Sequence, residues 1–151
     1  MSTDKQIEQE IQSKGLTAPR VTPADIEAEI ASEHYFTAAQ GIMKAQMQSG
    51  EAPFVPDVAA LLTFCVLVLR NGFTVTGESA CASPENFDAE IGQKIARQNA
   101  VQKIWPLLGF RLRDQLSAPE PRVLYRDAGT GALVTAEYAA ENPDTTVRET
   151  R

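Results

Sequence analysis

The chain has 151 residues, 43% hydrophobic and 23% charged, with 20 acids against 14 bases and a formal charge of −6. That size and mixture describe one ordinary globular domain with some trim. The acidic balance argues against a long nucleic acid as the main partner, because phosphate binding draws on a Lys/Arg excess. A small nucleotide needs only one or two well-placed cations.

Residues Met1 to Lys14 are polar and charged, so no secretory signal is read there. Ile7 and Ile11, at i and i+4, mark a weak helix or a frayed arm, and Gly15 to Arg20 with Pro19 breaks it. Thr22-Pro23-Ala24-Asp25 then opens a helix: Thr as N-cap, Pro at N1, an acid at N3. The spacing of Ile26 and Ile30 carries this helix towards Tyr35 and Phe36, with Asp25, Glu27, Glu29 and Glu33 on its solvent face. His34, the single histidine, reads as a packing residue on that helix. Gly41 to Pro56, with Gly50 and Pro53 as breakers, reads as a loop that leaves Met43 and Met47 partly exposed.

Thr63 to Leu116 organises the chain. Leu61 to Arg70 and Phe73 to Ser79 are two β-rich runs around Asn71-Gly72, which predicts a hairpin with a two-residue type I′ turn. Such a turn sets Arg70 opposite Phe73, Leu69 opposite Thr74 and Val68 opposite Val75. The first strand is apolar on both faces and reads as central and covered on both sides. The second alternates, with Phe73 and Val75 on one face and Thr74, Thr76 and Glu78 on the other. Ser83-Pro84-Glu85 has the residues of a helix start, and a long helix follows to Trp105, where Pro106 is expected to end it.

That helix carries two apolar stripes. Phe87, Ile91, Ile95, Val101 and Trp105 form one, expected to pack on the sheet. Ala89, Gly92, Ala96 and Ala100 form the other, expected to admit another backbone, either a helix of the same chain or a second subunit. A homo-oligomer is the expectation drawn from the second stripe. After Gly109, Phe110 to Leu116 reads as a short helix or strand. Beyond a Pro119–Pro121 linker, Val123 to Tyr125 and Ala132 to Thr135 flank Asp-Ala-Gly-Thr-Gly as a second small hairpin. Ala136 to Glu141 follows as a short helix, and Thr145 to Arg151 as a polar tail. The fold class expected is α+β: an antiparallel, hairpin-based small sheet packed on a long helix, with an N-terminal helix and a small C-terminal hairpin and helix appended.

The chemistry-bearing residues are sparse. No phosphate-binding loop, dinucleotide fingerprint or metal-spaced His/Cys cluster is present. Neither a metal nor a cofactor is expected. Cys65 and Cys81 read as reduced, buried thiols. Ser79 in Gly-Glu-Ser lacks the frame of a nucleophile motif, and Glu78 with Asp88 carries no weight as an acid/base pair, so no catalytic residue is assigned. Val58 to Leu69, the longest apolar run, is short of the ~20 residues a membrane span needs, so a soluble, intracellular protein is expected. Arg70, Lys94, Arg97 and Trp105 form the one constellation worth testing, with Tyr35 as a further member. Cations beside an aromatic ring can hold a phosphate and stack a base. The competing reading is a solvated basic flank that balances Glu90, with Trp105 packed in the core.

Asn71-Gly-Phe-Thr-Val-Thr-Gly-Glu-Ser-Ala, then Asn86-Phe-Asp-Ala-Glu-Ile-Gly, Asn99-Ala100, Ile104-Trp105-Pro106-Leu107 and Gly109-Phe110 resemble a known family. It is the family of small tailed-phage proteins named for gene products 49 and 66 of two short-tailed enterophages. Arg20 to Ile26 and Tyr35-Phe36 fit it too, and the resemblance spans Pro19 to Leu116. It implies a phage or prophage origin, and it brings no activity and no catalytic residues. The segment from Tyr125 to Val147 resembles an appendage of other small phage and bacterial proteins. The domain reading is then an N-terminal arm (1–18), flexible or helical, a phage-family α+β domain (19–118) and a C-terminal appendage (119–151). The expected role is a non-enzymatic accessory binding protein in the host cell cytoplasm. It would act against host defence, binding a host defence protein or a small nucleotide, with no membrane partner. A virion structural or assembly role is the alternative.

Overall fold

A computed structural model describes residues 3–50, 52–119 and 122–150. The elements are α1 (Thr3–Ser13), α2 (Pro23–Glu29), β1 (Ile30–Thr37), α3 (Ala38–Ser49), β2 (Leu62–Leu69), β3 (Thr74–Ala80), α4 (Ala89–Ser117), β4 (Val123–Asp127), β5 (Leu133–Val134), α5 (Ala136–Glu141) and β6 (Thr146–Thr150). They fall into two compact units, residues 1–114 and 115–151. The fold is α+β, with two small antiparallel sheets and a long helix packed on the first of them.

In the first unit β2 is central, between β1 and β3, and antiparallel to both. Thr63, Cys65, Leu67 and Leu69 of β2 and Val75 and Gly77 of β3 are buried on the helix side. The opposite residues of β2, Leu62 to Val68, are only half-buried, so one face of the strand is fully covered and the other is not. The sheet has a third strand where a helix was expected. Thr22 does cap α2, with the full capping box to Asp25, but the helix stops at Glu29. Ile30 to Thr37 is strand β1, paired along β2 from Ile30 opposite Leu69 to Thr37 opposite Thr63. Seven residues are too few for a helix to hold by itself, and the β2 edge offers Tyr35, Phe36 and their neighbours a full ladder. His34 therefore sits exposed on the outer face of a strand, its Nε2 3.1 Å from Ser32 Oγ.

The hairpin turn is longer than expected. Leu67 faces Val75 and Val68 faces Thr74, one residue out of the two-residue register. Gly72 donates to the Leu69 carbonyl (2.9 Å) and Leu69 N–H to the Phe73 carbonyl (2.8 Å). Gly72 has φ +83° while Asn71 does not have positive φ. This is a three-residue Arg70-Asn71-Gly72 loop closed by one left-handed glycine, not a type I′ turn. Asn71 Oδ1 accepts from Phe73 N–H (3.0 Å), so the asparagine side chain braces the loop two residues on.

The stretch read as a loop, Gly41 to Pro56, begins inside a helix. Thr37 and Gln40 form a second capping box at the start of α3, and Gly50 at φ +77° closes it. Met43 and Met47 are exposed, as expected. In α4 the start and the end both moved. Pro84–Asn86 is a short 3-10 turn without a side-chain bond from Ser83, and Asp88 caps the helix by accepting from Ile91 N–H (2.9 Å). Pro106 lies inside the helix, which continues to Ser117. Ile104 and Leu108 are buried on either side of it, and their burial offsets the missing hydrogen bond.

The two stripes of α4 divide differently from the expectation: Val101 and Trp105 of the large stripe do pack against the core, while Ala89 of the small one is exposed. Ala96, Ala100, Ile104 and Leu108, four residues apart, are the buried line, and Ile91 and Ile95 face solvent. The helix backbone lies directly on the sheet: Gly92 abuts Thr63, and a Cβ at Gly77 would collide with Ala96 and Ala100. The small residues thus serve an intramolecular seam. Cys65 is buried and Cys81 half-buried, and both are free thiols.

The second unit is a sheet of order β5-β4-β6 with α5 beside it. The expected hairpin and helix are present, and Asp127 Oδ1 organises the turn by accepting from Gly129 N–H (3.0 Å) and Thr130 N–H (2.8 Å). Thr146–Thr150, read as a polar tail, is strand β6, paired with β4 from Asp127 opposite Thr146 to Val123 opposite Thr150. Of the proposed linker, Pro121 lies outside the described residues, as does Arg151 at the tail.

Candidate functional site

A cavity of about 550 Å³ lies between α1, α2 and α4 in the first unit. Pro23, Ile26, Val101 and Trp105 give it an apolar floor, and the cations Lys5, Lys94 and Arg97 line it with the acids Asp4 and Glu27. The capping box places Pro23 and Ile26. One turn of helix separates Lys94, Arg97 and Val101 along one side of α4, and a further turn adds Trp105. Trp105 also lines a smaller cavity of about 210 Å³ beside Ile7 and Ile11 of α1. Its Nε1–H is buried and has no hydrogen-bond partner among the described residues. An unmade bond of that kind is costly.

The electrostatics centre on Arg97. Its Nη2 lies 2.7 Å from Glu27 Oε2, and its Nε and Nη2 donate to Glu33 Oε1 at 2.9 and 2.8 Å. Glu33 stands on the helix side of β1, opposite Leu67. Tyr35 Oη donates to its other oxygen, 2.7 Å away. The Arg97 bonds hold the Glu33 carboxyl below its ordinary value against the opposing effect of burial. Burial, then the Glu33 bond, pushes the Tyr35 phenol above its usual range. The two carboxylates raise Arg97 in turn. One guanidinium thus fastens α2, β1 and α4 together.

The structure brings Lys94, Arg97 and Trp105 to one cavity, and it leaves Arg70 out. Arg70 is exposed at the hairpin loop, where its N–H donates to the Glu29 carbonyl (2.9 Å), and it does not line the cleft. The Glu29 carboxylate is bound by Arg111 at 2.6 Å. Tyr35 reaches the cleft only through Glu33 and Arg97. Lys94 pairs with Glu90 at 2.6 Å, as the basic-flank reading has it, and Trp105 packs half-buried against the core while also lining the cavity. Sequence reasoning missed Lys5 and Glu27 as members, and Glu33 as the carboxylate that holds Arg97. Glu27 and Glu33 read as solvent-facing acids, and no spacing pattern links residues that lie 64 and 70 positions from Arg97.

Among the described residues no three His, Cys, Asp or Glu side chains are grouped to hold a metal ion, and no helix is long and apolar enough to cross a membrane. A model of the phage protein (N4 Gp49/phage Sf6 gene 66) family matches residues 21–116. That span runs from just before α2 to the end of α4, so the α1 wall of the cleft lies outside it. No curated protein matches, and no solved structure matches.

Proposed function

The chain belongs to the phage protein (N4 Gp49/phage Sf6 gene 66) family, and from that premise we propose a phage accessory protein that acts by binding and not by catalysis. It works in the host cytoplasm and counters host defence by sequestering a small nucleotide signal. The observation that carries this reading is the α1–α2–α4 cleft, where an indole with an unmade N–H bond stands among cations over an apolar floor. Arg97 is already neutralised by Glu27 and Glu33, so phosphate contact falls to Lys5 and Lys94. The Lys94–Glu90 pair is a solvent-exposed i, i+4 contact, weak enough to be exchanged for a phosphate.

Sequestration is stoichiometric, so binding must be at least micromolar, about 8 kcal/mol. Calorimetry with cyclic dinucleotides and ADP-ribose derivatives tests this. Saturable heat is expected, weakened at least about tenfold by Trp105→Ala and by the surface double variant Lys5→Glu with Lys94→Glu. Absence of heat with every ligand, together with a fixed copy number in purified virions, would replace this reading with an assembly role.

A further inference from the structure

We propose that a second copy of this chain docks on the face formed by α3, residues 54–58 and the outer surface of the first sheet. Helix α3 buries none of its side chains. Met47 is 61% exposed, Phe54 76% and Val58 71%, with Met43 and Phe36 also exposed. These residues belong to one continuous surface. The Phe36 ring stacks on Phe64 at 5.4 Å and lies beside Gly41 of α3. Phe54 N–H donates to Gln46 Oε1 of α3 at 2.7 Å. Val66 and Val68, half-buried, extend the face along β2.

Charge and area select the occupant. Between Tyr35 and Leu69 only Lys44, Glu51 and Asp57 are charged, in a chain of net charge −6. Two copies repel through most of their surface, and this face carries few acids among the described residues, Asp57 within residues 54–58 and Glu78 opposite Phe64 at the β3 edge, so two copies can meet here with little apposed charge. The exposed parts of its large apolar side chains amount to roughly 500 Å², at the upper end of the largest patch on an ordinary monomer. A stable dimer covers about 800 Å² on each partner, an apolar centre within a polar rim. Ser32, His34, Thr74 and Thr76 on the outer sheet face supply that rim. A two-fold axis through the face sets apolar surface on the same apolar surface and needs no second complementary patch. The small-residue stripe of α4 is occupied by the sheet, so this seam and not that one joins the copies.

Sedimentation or light scattering of the full chain tests the inference. At about 100 µM, a concentration that saturates any micromolar association, a mass near twice the 16.4 kDa of one chain is expected. Met43→Glu with Met47→Glu should return the single-chain mass, with an unchanged circular dichroism spectrum because both side chains are exposed. Phe54→Ser should act in the same direction. Ile91→Glu, on the exposed stripe of α4, should leave the dimer intact. A wild-type monomer at that concentration overturns the proposal, as does a dimer that survives the α3 and Phe54 variants or is separated by Ile91→Glu. The ligand calorimetry is independent of this result, so either reading can fail alone.

Discussion

Glu33 takes three hydrogen bonds, two from Arg97 and one from Tyr35, and its replacement reports on the whole clasp. Its folded carboxyl titrates below the ordinary 4.5, so its contribution is complete above that pH and is lost as the pH falls from 4.5 through the folded value. Glu33→Gln should therefore melt lower than wild type at pH 7, by the equivalent of about 1 kcal/mol for a partly solvated pair. The gap should close as the pH falls below 4.5 and the wild-type carboxylate is protonated. A gap that stays constant over that range would mean packing, not charge, sets the Glu33 effect. Gly77 and Gly72 make a second comparison between residues. At Gly77 the limit is space: Gly77→Ala drives a methyl into the backbone of Ala96 and Ala100, at a cost of about 3 kcal/mol or more. At Gly72 there is open space but φ is +83°, so Gly72→Val costs about 1–3 kcal/mol through backbone strain. Urea denaturation separates the two, and equal small effects would contradict the close helix–sheet approach.

At the scale of elements, the start of α4 discriminates between two caps. Asp88 Oδ1 accepts from Ile91 N–H, while Ser83 makes no capping bond. Asp88→Ala should cost about 1 kcal/mol and Ser83→Ala close to nothing, read as denaturation midpoints at constant slope. The reverse order would place the helix start at the 3-10 turn. The same element shows why a proline signal can mislead. Pro106 lacks the N–H and crowds the Gln102 carbonyl, yet Ile104 and Leu108 on both sides of it are buried in one line with Ala96 and Ala100. Stopping the helix at Trp105 would strip Leu108 from the core, which costs a few kcal/mol. The penalty of the proline and the loss of that burial are of similar size, and the burial prevails. Strand β1 is the complementary case. Ile26 and Ile30 have helical spacing, but only Ile26 is fully buried, in α2, and Ile30 opens the ladder with β2.

At the scale of the molecule, residues 1–114 and 115–151 are separate compact units, and all nine members of the main buried cluster belong to the first. A stop after Ala118 should leave a protein that unfolds in a single cooperative transition. The shortened chain should keep the melting temperature of the first unit to within a few degrees, since a change of 1 kcal/mol moves a domain of this size by about 4–8 °C. Aggregation or a broad, non-cooperative melt would show instead that residues 119–151 are part of one folding unit. The first unit carries a cleft between α1, α2 and α4 and an exposed apolar face on α3 and residues 54–58, and the two proposals assign a separate role to each.

What the sequence determined by itself is what short-range chemistry decides. Thr22-Pro23-Ala24-Asp25 fixes the start of α2, Asn71-Gly72 fixes a reversal, and the long apolar run of Leu62 to Leu69 fixes a central strand, because each depends on neighbours within a few residues. The order of residues also carried the family, from Asn71-Gly72 through Gly109-Phe110. Tertiary structure decided everything that depends on a distant partner. Tyr35 lies in a strand because β2 lies beside it, and Glu33 binds Arg97 because β1 turns it towards α4. The choice between the two stripes of α4 was open from the helix alone, since both are apolar. Gly77 and Thr63 settled it: a glycine on the helix-facing side of β3 admits the alanine side to backbone contact, and that close approach leaves Ile91 and Ile95 in solvent.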